Sequence, residues 1–320
     1  MKRFLAILTV LAVVLVAFAA CGGGSTTTMT MGTGGTQGTY YAYGGILGNQ
    51  LKTTTGITVN VVSTDGSKAN ILGIDTGNYQ LGTVQSDVMA YAAAGSRTFE
   101  AEGAVDSFRV IGGLYAEAVQ LITMDPSIKS VADLKGKKVS IGAAGSGVYF
   151  NAIDVLGAAG LTEDDIKAQY QSFGDSADAL KDGKIDAAFI VAGAPTPAIQ
   201  ELCTSANAYL VPIDGDVAEK LMAESPYYTV YEVPAETYKG QTEAVKTVTV
   251  KATLIVSASA AEEDVYNITK AIFDNAEAIT AAHAKGAELS IENATSGMTA
   301  PFHAGAARYF AENGVEVEVK

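Results

Sequence analysis

The 320-residue chain holds two cysteines, two histidines and seven prolines, and its 21 lysines and arginines are outnumbered by 35 aspartates and glutamates. Each shortage removes a class of function. Cys203 is the one cysteine within the body of the chain, so no disulfide is expected, and a lone thiol in so apolar a sequence reads as an inert, buried group. His283 and His303 stand twenty residues apart with no Cys/His/carboxylate cluster at zinc spacing, so neither a metal nor another cofactor is expected. Gly145-Ser146-Gly147 lacks an evident histidine partner, there is no Gly-x-Ser-x-Gly elbow, and Gln37 stands where the third glycine of a dinucleotide fingerprint would fall. The chain therefore does not read as an enzyme. A formal charge of −14 without a cluster of Lys and Arg excludes nucleic acid as a partner, and it requires any anion site to be built locally from a few donors.

What is present begins with a leader. Met1-Lys2-Arg3 precede an apolar run from Phe4 to Val16, followed by Ala17-Phe18-Ala19-Ala20-Cys21-Gly22. A basic start, a short apolar segment and small residues before one cysteine resemble a bacterial lipoprotein signal: residues 1–20 would be removed and Cys21 lipidated, anchoring the chain to a membrane. The alternative is an uncleaved membrane helix, which needs ~20 apolar residues to span the hydrocarbon core. Both readings place the body outside the cytoplasm, as a periplasmic or outer-face protein. Loss of Lys2 and Arg3 takes the charge from −14 to −16. Residues 21–29, with Gly22-Gly23-Gly24-Ser25 followed by threonines, read as a flexible tether.

About 300 remaining residues exceed one typical core, so two lobes of roughly 100–150 residues are expected. From Met29 onward short β-rich runs alternate with longer helical ones, the pattern of an α/β protein with mostly parallel sheets. Five strands each lead into a loop rich in Gly, Ser, Thr or Gln and then a helix: Met29–Thr33, Val59–Ser63, Leu81–Val84, Val139–Gly142 and Ala188–Val191. In open α/β sheets the carboxyl ends of strands form the ligand edge. Helices starting there present unpaired N–H groups and a partial positive charge, which suits an anion. In any single loop such residues are ordinarily N-caps; five loops together point to a site. Thr76–Val84 also echoes Asp182–Ile190, each a helix end, a glycine turn and a strand leading to this rim.

Gly32-Thr33-Gly34-Gly35 with Tyr40-Tyr41, Ser63-Thr64-Asp65-Gly66-Ser67, Val84-Gln85-Ser86-Asp87, Gly145-Ser146-Gly147, Ser172-Phe173-Gly174 and Val191-Ala192-Gly193-Ala194-Pro195 together resemble the solute-binding subunits of TAXI-type TRAP transporters. The resemblance implies a two-lobed periplasmic-binding-protein fold of type II, with residues 30–116 plus 253–320 in one lobe and 117–252 in the other. It implies capture of a small carboxylate such as glutamate, glutamine or 2-oxoglutarate, delivery to TRAP membrane permease subunits driven by an ion gradient, and a monomeric receptor. The implied ligand contacts are Gly35, Thr36, Tyr40, Tyr41, Gly66, Ser67, Gln85, Ser86 and Asp87 from the first lobe. Gly145, Ser146, Gly147, Ala194 and Pro195 would face them from the second. Tyr40 and Tyr41 could instead pack their helix, and Asp87 could be a helix cap or the partner of a ligand ammonium. The lobes are expected to close about strands near Leu114–Ile122 and Val248–Ile255. An ABC-type or sensory binding protein of the same fold is the alternative.

Overall fold

The computed structural model describes residues 27–320; the leader, Cys21 and most of the tether lie outside the described residues. One sheet of ten strands runs through the molecule. The strands are β1 (Thr28–Gly32), β2 (Thr58–Val62), β3 (Leu81–Gln85), β4 (Phe108–Thr123), β5 (Lys138–Ser140), β6 (Lys167–Gln169), β7 (Ala187–Ala192), β8 (Tyr209–Val211), β9 (Thr229–Val233) and β10 (Val245–Ser257). Their order is β2-β1-β3-β10-β4-β7-β5-β6, with β8 on β4 and β9 on β10. β1 pairs in parallel with β2 and β3, and β5 with β6 and β7, so each end of the sheet is a parallel unit flanked by helices. β3 and β7 are buried along their whole length, as parallel strands covered on both faces must be, and their sequences Leu-Gly-Thr-Val-Gln and Ala-Ala-Phe-Ile-Val-Ala lack an exposed face.

The two ends are joined by β4 and β10, sixteen and thirteen residues long. The first half of β4 pairs with β10 and its second half with β7 and β8; β10 pairs first with β9 and then with β3. Two register shifts, at Ala252/Thr253 and Leu254/Ile255, fall in the β4–β10 ladder, where extra residues raise the local twist. The segments Leu114–Ile122 and Val248–Ile255 lie within these two strands. The apolar core divides about them: one cluster runs from Met29 to Tyr115 and from Ala252 to Phe310, and two others lie between Ala118 and Val250. We refer to the part built on the first cluster as the first lobe and to the part built on the other two as the second.

The repeated segment is structural. The helix Ser67–Asp75 ends before Gly77 at φ 78°, and the helix Phe173–Lys181 before Gly183 at φ 67°. Both glycines take the left-handed conformation that turns the chain into β3 and β7. In the first lobe the loop ends are tied by Asn70, whose Nδ2 donates to the carbonyls of Thr33 and Thr83 at 2.6 and 2.7 Å and whose Oδ1 accepts from Thr64 Oγ1 at 2.7 Å. No described helix is long and apolar enough to cross a membrane.

Outside the cavity lining the lobes are clamped by Arg97. Its guanidinium donates to both oxygens of Asp154, at 2.6 and 3.1 Å, and lies 4.9 and 4.8 Å from the ring centres of Tyr91 and Phe150. Asp154 also accepts from the Tyr228 hydroxyl at 3.0 Å. A bidentate, stacked and partly buried pair exceeds the ~0–1 kcal/mol of an ordinary surface bridge. A double-mutant cycle of Arg97→Gln with Asp154→Asn, read by urea unfolding, is expected to give a coupling of about 1–2 kcal/mol; additivity within error would deny the clamp.

Candidate functional site

A cavity of about 500 Å³ lies between the lobes at the carboxyl ends of the parallel strands, within the range of small-ligand sites. Of the residues expected to contact a ligand, Gly35, Thr36, Tyr40, Gly66, Ser67 and Gln85 line it from one side, and Ser146 and Gly147 from the other. Tyr41 is on the exposed side of its helix, and Ser86 Oγ accepts from the Lys251 backbone N–H at 3.3 Å. Asp87 is buried beside Asn151, while Gly145, Ala194 and Pro195 adjoin the lining without forming part of it.

The helices that start at the cavity explain how it could hold an anion. Thr39–Thr55, Ser67–Asp75 and Gly147–Ala158 begin after Gly38, Gly66 and Ser146, and none of the three N-termini carries a side-chain cap. Glycine has no side chain to offer. Ser146 is buried, with its hydroxyl unpartnered among the described residues. By contrast, the helix Phe173–Lys181 is capped: the Asp175 N–H donates to Ser172 Oγ at 3.2 Å. Three uncapped N-termini thus direct first-turn N–H groups and partial positive charge toward one cavity.

At the floor, a buried chain fixes the polarity of Gln85. Burial pushes the Asp87 carboxyl up to about 6, against the hydrogen bond from Asn151 that holds it down. Asn151 Nδ2 donates to it at 2.9 Å, leaving Asn151 Oδ1 to accept from Gln85 Nε2 at 2.9 Å. The remaining Gln85 atom, Oε1, has no partner among the described residues. Gln85 Oε1 is thus an enclosed acceptor packed against Gly147 of the opposite lobe.

Sequence reasoning missed Glu117. It sits on β4, paired with Val250 of β10, one residue before β7 joins at Ala118–Ala192. It lines the cavity while only 2% exposed. Burial, with the charge of Asp87 adding to it, pushes its carboxyl up to about 8. Tyr40 and Gln85 lie near enough to favour the charged form, yet neither makes a well-formed hydrogen bond to it, and Glu117 Oε1 has no partner among the described residues. The available signal was one carboxylate between alanines in an otherwise apolar run, Leu-Tyr-Ala-Glu-Ala-Val. Gln171, Asp175 and Asp178 also line the cavity and were not singled out as contacts.

Comparison with known proteins places this geometry. A family profile described as the NMT1-like family matches residues 31–314. Among solved structures the chain is similar to the alkanesulfonate-binding protein SsuA from Xanthomonas axonopodis pv. citri bound to MOPS, at 17% identity over 90% of this chain and 85% of that one, with a TM-score of 0.52. It is similar to a putative L-cystine ABC transporter protein from Listeria monocytogenes, at 16% identity, 82% and 98% coverage and a TM-score of 0.51. PhnD1 from Prochlorococcus marinus in complex with methylphosphonate follows at 12% identity, 78% and 85% coverage and a TM-score of 0.52. At such identities these likenesses establish the fold, that of periplasmic substrate-binding proteins, as expected; the family and these neighbours are binding proteins, not enzymes. They correct the resemblance to TAXI-type TRAP subunits: the matching family is NMT1-like and the neighbours include ABC-type binding proteins. The error has a physical source, because Gly/Ser/Thr loops before helices are what this fold requires at its cleft whichever permease it serves.

The lobes already touch across the cleft. A Cβ on Gly147 would stand 1.5 Å from Gln85 Oε1 and 2.8 Å from Val88, whereas a Cβ on Gly35 would meet nothing within 4 Å. Because Asn151 holds the Gln85 amide, Gly147→Ala is expected to wedge the lobes apart, raising the radius of gyration in small-angle scattering. Gly35→Ala is expected to leave it unchanged; equal radii for the two variants would contradict the contact.

Proposed function

We propose that this chain, which belongs to the NMT1-like family and has the fold of periplasmic substrate-binding proteins, is the extracytoplasmic receptor of an ABC-type importer for a small solute bearing an acidic group. The observation that carries the reading is the convergence of three uncapped helix N-termini on one cavity of about 500 Å³. Neutral donors there would meet the anion without a cationic side chain, as backbone N–H groups and dipoles can. SsuA bound to MOPS and PhnD1 with methylphosphonate are acids held in the same fold, which supports the class; for this chain we take the acidic group to be a carboxylate.

In this reading the solute docks on the first lobe, at Gly66, Ser67 and the start of the Thr39–Thr55 helix. Flexing of β4 and β10 then brings Ser146 and Gly147 down over it. Closure excludes water, which strengthens each donor's interaction with the anion, and the closed form is the one the membrane partner accepts. Lipid attachment at Cys21 would keep the receptor at the membrane surface.

The test is a thermal-shift panel of carboxylates, sulfonates, phosphonates and sugars on protein refolded to remove carried-over solute. A solute at a hundred times its dissociation constant adds ~2.7 kcal/mol, a shift of several degrees. A shift with a carboxylate supports the reading; a response confined to sugars refutes it. Ser146→Ala should weaken the binding of that acid by about tenfold, one charge-assisted hydrogen bond. The empty protein should lose no stability, since the Ser146 hydroxyl has no partner to lose.

A further inference from the structure

We propose that the contact face between the helix Ser86–Ala94 of the first lobe and the helix Gly147–Ala158 of the second is a latch, which holds the lobes together through the protein's own bonds so that the solute-free chain already populates the closed form. The latch goes beyond the small-acid reading and does not depend on which solute binds.

The spacing of the contacts argues for it first. Gly147, Phe150, Asn151 and Asp154 stand at i, i+3, i+4 and i+7 of their helix, which puts them on one face. Each of the four meets the first lobe. Gly147 leaves the space that Gln85 and Val88 occupy, and the Phe150 ring lies 6.0 Å from that of Tyr91. Asn151 donates to Asp87 and accepts from Gln85, both at 2.9 Å, and Asp154 accepts from Arg97 at 2.6 and 3.1 Å. A whole helix stripe is thus committed to the opposite lobe.

Burial and connection argue for it next. Gln85, Asp87 and Asn151 are all enclosed, and hydrogen bonds in so dry a face are stronger than the same bonds in water. The Tyr228 hydroxyl accepts from Asn151 Nδ2 at 2.8 Å and donates to Asp154 at 3.0 Å, so the enclosed bonds and the Arg97 pair are one unit. The backbone adds an independent sign. Arg97 stands at φ 50°, a conformation that only Glu236 shares among the described non-glycine residues. A residue with a side chain takes it at a cost, and such strain is kept where the placement of that side chain matters. Here it sets the guanidinium over Tyr91 and Phe150 and against Asp154.

A second set of bonds joins the lobes at the start of the Thr39–Thr55 helix, where Thr39 Oγ1 donates to the Gly193 carbonyl at 2.8 Å and the Ala198 N–H donates to the Gln37 carbonyl at 3.1 Å. Two of the three helices whose N-termini reach the cavity are therefore tied to the opposite lobe by direct bonds. Closure by these contacts sets the N–H groups in place ahead of the solute, which then has less ordering to drive and selects a form that already exists.

Small-angle scattering of the full chain, refolded free of solute, is the test. Arg97→Gln removes the bidentate pair and should lower the ratio of closed to open molecules about tenfold, read as a larger radius of gyration than that of the wild type. Asn151→Asp sets a second carboxyl against Asp87 and should enlarge it further; should that variant not fold, the half-exposed Arg97 position decides alone. Tyr149→Phe is the control, since it loses a hydrogen bond to Glu163 that lies within the second lobe, and it should keep the wild-type radius. Equal radii for the wild type and Arg97→Gln, or an equal increase in Tyr149→Phe, would overturn the latch. Either result would leave the small-acid reading intact, because the thermal-shift panel tests that reading separately.

Discussion

The antiparallel pairing of β4 with β10 is the constraint on which the rest depends. Two long strands that begin in one lobe and end in the other make the lobes a single sheet, so both parallel units share one continuous backbone ladder. The same pairing decides what faces the cleft. β4 passes from β10 to β7 at Ala118, and Glu117, immediately before that exchange, is the carboxyl group the crossing leaves at the floor. A charged residue in so apolar a strand is costly to bury, and its raised proton affinity records that cost.

Around this floor the polar groups form one connected system rather than a set of independent contacts. Asp87 orients Asn151, Asn151 orients Gln85, and Gln85 fills the space that Gly147 leaves open from the opposite lobe. Asn151 Nδ2 also donates to the Tyr228 hydroxyl, which reaches Asp154 and so the Arg97 clamp. The cleft and this second contact between lobes are therefore linked through hydrogen bonds, and separating the lobes must unpair several of them at once. Such a network rewards a single closed geometry, because a half-satisfied buried set is worse than none.

Much of the rim was legible in the sequence. Glycine and serine before a helix carry a local meaning, an uncapped or hydroxyl-lined N-terminus, and Gly66-Ser67 and Ser146-Gly147 kept that meaning in the fold. The glycine turns at Gly77 and Gly183 were legible for the same reason, since a left-handed residue after a helix is a local requirement. Asp87, read as a cap or a ligand contact, stands in the first turn of its helix but acts through Asn151, a residue 64 positions away that no local pattern connects to it.

The sequence by itself determined the class of fold, the five strands that lead to the rim, and the positions where backbone N–H groups would be free. These follow from short-range periodicity and backbone chemistry, which a chain carries wherever it folds. Only the tertiary structure decided which of those groups meet, which way the Gln85 amide points, and that an acid from the middle of a crossing strand lies beneath them. Those outcomes depend on the register of β4 against β10 and β7, which joins residues 131 to 149 positions apart in the first pairing and 64 to 74 apart in the second. The loop motifs did not distinguish one family of this fold from another, because helices that start at a cleft call for the same Gly, Ser and Thr loops in every chain built this way.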